Sequence, residues 1–117
     1  MGNVEGFPPN ALVIVNLISP KEKFFGVLRA LSPAGVTMRA VNLDSFDDWI
    51  HQIARAEEAE IEMVTMFVPL FRVERIFLDE TAGMVQSYSQ RFAQVVGRDV
   101  AEYLELPTVP SPLRGEG

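Results

Sequence analysis

Between Ala11 and Leu43 the apolar residues gather into three strand-length runs, separated by turn signals at Ser19-Pro20 and Ser32-Pro33-Ala34-Gly35. This spacing predicts an antiparallel meander. The first run, Leu12 to Ile18, is apolar at both parities except at Asn16, so both faces of that strand need cover. The second, Lys23 to Leu31, contains Gly26, where a missing side chain permits a sharp bend or close backbone approach. Such a bend is how a short sheet curls into a small barrel. In the third run Val36, Met38 and Ala40 alternate with Thr37, Arg39 and Val41, the pattern of a sheet with one drier face.

The period then changes. Phe46, Trp49, Ile50 and Ile53 recur at helical spacing and predict a helix over 46–58, opened by Ser45 with Asp48 in the manner of a capping box. Ile61, Met63, Thr65 and Phe67 restore period two for a fourth strand that Pro69 stops. Pro69-Leu70-Phe71 reads as a tight turn into a fifth strand, Arg72 to Leu78. Thr81 or Asp79 can cap a further helix with Met84, Val85, Tyr88, Phe92, Val95 and Val96 as its apolar stripe. Gly97 ends it, and Asp99 opens a short turn carrying Val100, Tyr103 and Leu104. Residues 1–10, with Gly2, Gly6, Pro8 and Pro9, read as an irregular lead-in and 11–106 as a single domain. The Pro- and Gly-rich stretch 107–117 reads as a disordered tail.

With 117 residues, 48% of them hydrophobic, one core can form without staples. The absence of cysteine removes disulfides, thiol catalysis and thiolate metal sites together. No leader pattern opens the chain, and no apolar run approaches the roughly 18 residues of a membrane span, so a cytoplasmic protein without a membrane partner is expected. A net charge of −6 disfavours generic nucleic-acid binding, whose affinity comes mainly from cations on phosphates. The charge is uneven, however. Residues 11–43 carry Lys21, Lys23, Arg29 and Arg39 against Glu22, whereas residues 44–62 carry Asp44, Asp47, Asp48, Glu57, Glu58, Glu60 and Glu62 against Arg55. One reading is a solvated acidic helix face; the other is a basic sheet surface hidden within an acidic total.

Candidate chemistry is sparse. His51 is four residues after Asp47 and three after Asp48, spacing that suits a surface ion pair and would need a further ligand to hold a metal. The acids from Glu57 to Glu62 lack the spaced ligands and turn glycine of a calcium loop. No serine sits in a Gly-x-Ser-x-Gly context, and the glycines are too scattered to cradle a phosphate. No catalytic residue, metal or cofactor is nominated, and an enzyme is the class with least support. Phe24 and Phe25 point to opposite faces of one strand. Burying a phenylalanine contributes about 1.5 to 3 kcal/mol, so the outward one needs cover from the C-terminal helix or a neighbouring subunit. For Phe67 and Phe71 core packing is expected ahead of stacking on bases.

A five-stranded meander with Phe25-Gly26-Val27-Leu28 in a bent second strand, an insertion after the third and a tight turn before the last resembles the Sm-like small β-barrel proteins. The resemblance covers residues 11–43 and 63–79. It implies a mainly β fold with added helices: a five-stranded Sm-like or SH3-like small barrel, a helix between strands three and four, and a C-terminal helical segment. It also implies ring assembly, with the fourth strand of one subunit beside the fifth of the next. That joint would use Met63, Val64, Met66 and Val68 with Arg72, Val73, Arg75 and Phe77. The family's RNA-binding signature is missing: Ser32-Pro33-Ala34-Gly35-Val36 has neither an acidic residue nor asparagine, and Phe71-Arg72-Val73-Glu74-Arg75-Ile76 has no Arg-Gly pair, lysine or histidine. The expected role is therefore a non-enzymatic, homo-oligomeric structural or regulatory interaction module. RNA binding through Lys21, Lys23, Arg29, Arg39, Arg72 and Arg75 is the alternative, and a small-ligand site between barrel and helices a weaker one.

Overall fold

In the computed structural model, which describes residues 6–106, the three runs form strands β1 (Leu12–Leu17), β2 (Glu22–Ser32) and β3 (Gly35–Asn42). A 3-10 turn, Leu43–Ser45, leads into helix α1 (Phe46–Ala54). Strand β4 (Val64–Pro69), a second 3-10 turn (Leu70–Arg72) and β5 (Val73–Leu78) follow, then helices α2 (Tyr88–Val96) and α3 (Val100–Tyr103). The strands make one five-stranded sheet in the order β4-β3-β2-β1-β5, antiparallel throughout. The fold is thus mainly β, an open antiparallel sheet with β4 and β5 as its edges, plus helices. The expected lead-in over 1–5 and tail over 107–117 lie outside the described residues. Within 6–10, Phe7 is half-buried against the sheet.

The sheet is strongly curled. Strand β2 is 11 residues long, about 36 Å if it ran straight. Yet both of its ends are tied to the same 3-10 turn. On one side the Leu70 amide donates to the Ala34 carbonyl at 3.0 Å, beyond the end of β2. On the other the Ile18 amide donates to the Arg72 carbonyl at 2.8 Å, and the Arg72 guanidinium donates to the Ile18 and Pro20 carbonyls at 2.9 and 2.8 Å. It also donates to the Glu22 carboxylate at 3.0 Å. A 3-10 turn advances only about 2 Å per residue, so β2 must bend back on itself. Two features of β2 permit this. The pairing with β3 shifts register between Leu28 and Ala30, and such a bulge bends its strand. At Gly26 a Cβ would stand 2.6 Å from Ala40 Cα and 2.7 Å from Ala40 Cβ, and closer still to the Arg39 carbonyl oxygen.

Curling separates the apolar residues into two clusters. Inside lie Val13, Val15, Leu17, Leu28, Val36, Met38, Ala40 and Val68, with Phe24, Met66, Ile76 and Leu78 packed against them. On the outer face Ile14, Phe25 and Val41 meet Phe46, Trp49 and Ile50 of α1, Phe92 of α2 and Val100 of α3. This is why β1 is apolar at both parities. Phe24 turns inward and Phe25 outward, where its ring stands 5.5 Å from Phe46, nearly perpendicular to it, and 6.1 Å from Tyr88. The cover that Phe25 requires thus comes from the chain's own helices.

The helices differ from expectation at their ends. Ser45 makes no side-chain cap; the Asn42 side chain instead accepts from the Asp44 amide at 2.8 Å and opens the preceding 3-10 turn. Helix α1 stops at Ala54, short of Glu58, because Gln52 captures the returning chain. Its amide group donates to the Ile61 carbonyl at 2.9 Å and accepts from the Glu60 and Ile61 amides at 2.9 and 3.1 Å. Glu57, Glu58, Glu60 and Glu62 consequently sit outside the helix. Helix α2 begins at Tyr88, capped by Ser87, whose hydroxyl accepts from the Gln90 amide at 3.0 Å. Asp79 completes the cap from a distance, accepting from the Tyr88 and Ser89 amides at 2.8 Å each, while Thr81 accepts from the Ser87 amide at 3.2 Å. Met84 and Val85 therefore fall in the turn before the helix and are exposed, not part of its stripe. Gly97 ends α2 in the left-handed region at φ 86°, and Asp99 caps α3.

Gly26→Ala tests the close approach. The added methyl group has backbone on the other side and cannot be absorbed by a side-chain rotation, so it should destabilise the protein by about 1 to 3 kcal/mol. An unchanged urea midpoint would show that β2 and β3 do not approach this closely.

Candidate interaction surface at the sheet edges

The two edge strands carry apolar side chains that their own chain leaves uncovered. On β4, Val64 is 52% and Phe67 55% exposed; in the connecting turn Phe71 is 80% exposed, and on β5 Phe77 is 44% exposed. The parity of the strands explains Phe67. Residues facing inward on β4, Met66 and Val68, reach the inner cluster, whereas Phe67 points outward from an edge strand. Phe71 occupies the 3-10 turn, whose anchoring bonds come from Leu70 and Arg72. Core packing of Phe67 and Phe71 is therefore corrected: both face solvent in the single chain.

The residues assigned to a joint between subunits separate into three kinds. Met63 is buried in the outer cluster and Val68 in the inner one, and Met66 and Val73 are half-buried against the inner cluster. Arg72 is committed to the turn between β1 and β2. Val64, Arg75 and Phe77 remain at the surface. The strand-like pattern of 63–68 could not separate these kinds, since in a curled sheet every second residue of an edge strand still points into the core.

The basic residues have different surroundings. Arg29 donates to the Asn10 side chain at 3.1 Å, and Arg72 is held as described. Arg39 borders a depression of about 270 Å³ with Trp49, Tyr103 and Leu104, between sheet and helices. Lys21, Lys23 and Arg75 border another, of about 490 Å³, at the base of β1. The basic residues on the sheet thus border two depressions of different chemistry.

His51 does not pair with either neighbouring acid. Its ring Nδ1 donates to the Asp47 carbonyl at 2.7 Å, while the Asp47 carboxylate turns to Arg91 of α2, accepting from Nε at 2.8 Å. That hydrogen bond and the carboxylate's charge raise the Arg91 pKa above its ordinary value. The pair links α1 to α2, though its exposure limits its contribution to at most about 1 kcal/mol. Among the described residues no group of three or more His, Cys, Asp or Glu side chains is arranged to hold a metal ion, and no helix is long and apolar enough to cross a membrane. Compared with known protein families, curated proteins and solved structures, the chain matches none.

Exposure at the edges is directly testable. Phe71→Ser should change unfolding free energy by no more than about 0.5 kcal/mol, as surface substitutions do, and Phe67→Thr, whose ring lies over Gly35, by about 1 kcal/mol. Met38→Ala, in the inner cluster, should cost about 2 to 5 kcal/mol. A loss from either phenylalanine as large as that from Met38→Ala, measured on dilute protein, would place that ring in a core.

Proposed function

We propose that this protein is a small Sm-like barrel that assembles with copies of itself, edge to edge, as a non-enzymatic structural or regulatory interaction module. The observation that carries this reading is the pair of unpaired sheet edges, β4 and β5, flanked by exposed Val64, Phe67, Phe71 and Phe77. An exposed edge strand is a template for another chain, and natural proteins ordinarily blunt it with charge or cover. Strand β4 carries no charged residue between Val64 and Pro69. The barrel description is supported by the curl of β2 and by the short turn that joins the two edge strands.

Both edge strands are six residues long. Aligned antiparallel over their full length, β4 of one copy would place Val64 opposite Leu78 and Met66 opposite Ile76 of the next. All four belong to the inner-facing set, as the pairings of Val64 with Ala40, Met66 with Met38, Leu78 with Val13 and Ile76 with Val15 require. A slip of one residue would turn the apolar set outward. On the outer face the same alignment brings Phe67 beside Arg75 and Thr65 beside Phe77. Because the two joining surfaces differ, the assembly must close into a ring to remain finite.

Light scattering across a concentration series should find a fixed oligomer larger than a monomer. Val64→Lys and Phe67→Lys should dissociate it, whereas Glu58→Lys should not. The chain has no cysteine of its own, so a Thr65→Cys, Phe77→Cys double variant should form disulfide-linked ladders on oxidation. A monomer at millimolar concentration would refute the assembly.

A further inference from the structure

The side chain of Asn16 presents an anomaly. Its Oδ1 is screened from solvent and, among the described residues, meets no hydrogen-bond donor. An enclosed amide oxygen without a partner is costly, and native structures rarely leave one without a protein group, an ordered water or a bound molecule to satisfy it. Asn16 is also the one polar interruption in an otherwise apolar β1. A leucine or valine there would extend the strand's pattern at no such cost.

Its surroundings are specific. Asn16 pairs across the sheet with Lys23 of β2 on one side and Arg75 of β5 on the other. The three side chains therefore emerge in one row on the outer face, about 5 Å apart. Lys21, in the turn before β2, borders the same depression of about 490 Å³. Neither lysine has a carboxylate within ion-pair distance among the described residues, whereas two of the three acids that share the depression are engaged: Glu22 by Arg72 at 3.0 Å, and Glu74, more loosely, by Arg75 at 4.0 Å. Asp44 is the third, and its carboxylate has no such cation.

We infer that this depression binds a hydroxyl-bearing phosphate ester, with the phosphate on Lys21, Lys23 and Arg75 and a hydroxyl on the Asn16 amide, which turns its enclosed oxygen toward the depression to meet it. A hydroxyl both donates and accepts, so it satisfies the amide in either orientation. The ammonium and guanidinium groups provide charge-assisted bonds to phosphate oxygens. Asp44 opposes the phosphate and sets an upper limit on affinity. A sugar phosphate and the ribose-phosphate unit of single-stranded RNA share this chemistry. All of the residues belong to one chain, so the site does not require the edge-to-edge assembly; that joint would set Phe67 of the next copy beside Arg75, and the dissociating Val64→Lys variant lets the site be tested apart from it.

The test is calorimetric titration of the full chain with ribose 5-phosphate and with inorganic phosphate. Ribose 5-phosphate should bind about tenfold more tightly, the contribution of one hydrogen bond. Asn16→Leu should abolish that difference while leaving phosphate affinity unchanged, with Asn16→Ser as the second variant should leucine impair folding. Lys23→Ala should weaken both ligands, and Asp44→Asn should tighten both. Competition between ribose 5-phosphate and a single-stranded uridine oligomer would identify RNA as the source of the ester; binding of the sugar phosphate without the oligomer would identify a free metabolite. Equal affinity for the two small ligands, or affinities indifferent to both Lys23→Ala and Asp44→Asn, would overturn the proposal and leave a trapped water as the amide's partner.

Discussion

Strand β2 must pair with β1 along its first half and with β3 from Phe24 to Ser32, and still return its two ends to one short turn. A straight strand of that length cannot do this. The close approach of Gly26 to the Arg39 carbonyl and Ala40, together with the bulge beyond Leu28, resolves the conflict by letting the sheet fold over on itself. Most of the architecture follows from that bend. The inner cluster exists because the bend brings Val15 of β1, Met38 of β3 and Val68 of β4 to the same interior. The outer face, convex and apolar around Phe25, is then too large to leave wet, and α1, α2 and α3 are laid across it.

Arg72 holds the bend closed. Its guanidinium reaches two backbone carbonyls and one carboxylate, all in or beside the β1–β2 turn. A planar group with several fixed donors suits this task where a lysine would not. The same commitment removes Arg72 from any surface available to a partner. Leu70 performs the matching role at the β2–β3 tip through its backbone, which leaves the side chains of Leu70 and Phe71 free of a structural task. Phe71 is exposed for that reason.

Much of the fold is legible in the chain because period and parity are local signals. Five strands, the helix after the third, the turn at Pro69 and the C-terminal helices follow from alternation, helical spacing, and Gly and Pro positions. What escapes is set by partners distant in sequence. Asp79 and Thr81 do serve the N-terminus of α2, but across a turn that places Met84 and Val85 in solvent, and only the position of that turn distinguishes a stripe from a loop. Helix α1 ends early because Gln52 bonds to residues eight and nine positions later, a capture without a local signature. Among the site residues, alternation marks Val64 and Phe67 as opposite in facing, but it cannot indicate that α1 and the chain after it leave Phe67 uncovered. The cross-strand row of Lys23, Asn16 and Arg75 is equally hidden, since β1 and β5 are far apart in sequence and paired only by the curl.

The distribution of charge gives the edges their character. The chain's acidic excess is concentrated on α1 and the following segment, from Asp44 to Glu62, while β4 has no charge and β5 has Glu74 and Arg75, which offset one another. Repulsion between copies is therefore strongest where α1 and the segment after it would meet and weakest at the strands. Such a surface discourages disordered clustering in most orientations and leaves one approach comparatively free. That approach is also the one in which inward-facing residues of both edges would continue the inner cluster from one copy to the next, so electrostatics and side-chain parity favour the same joint.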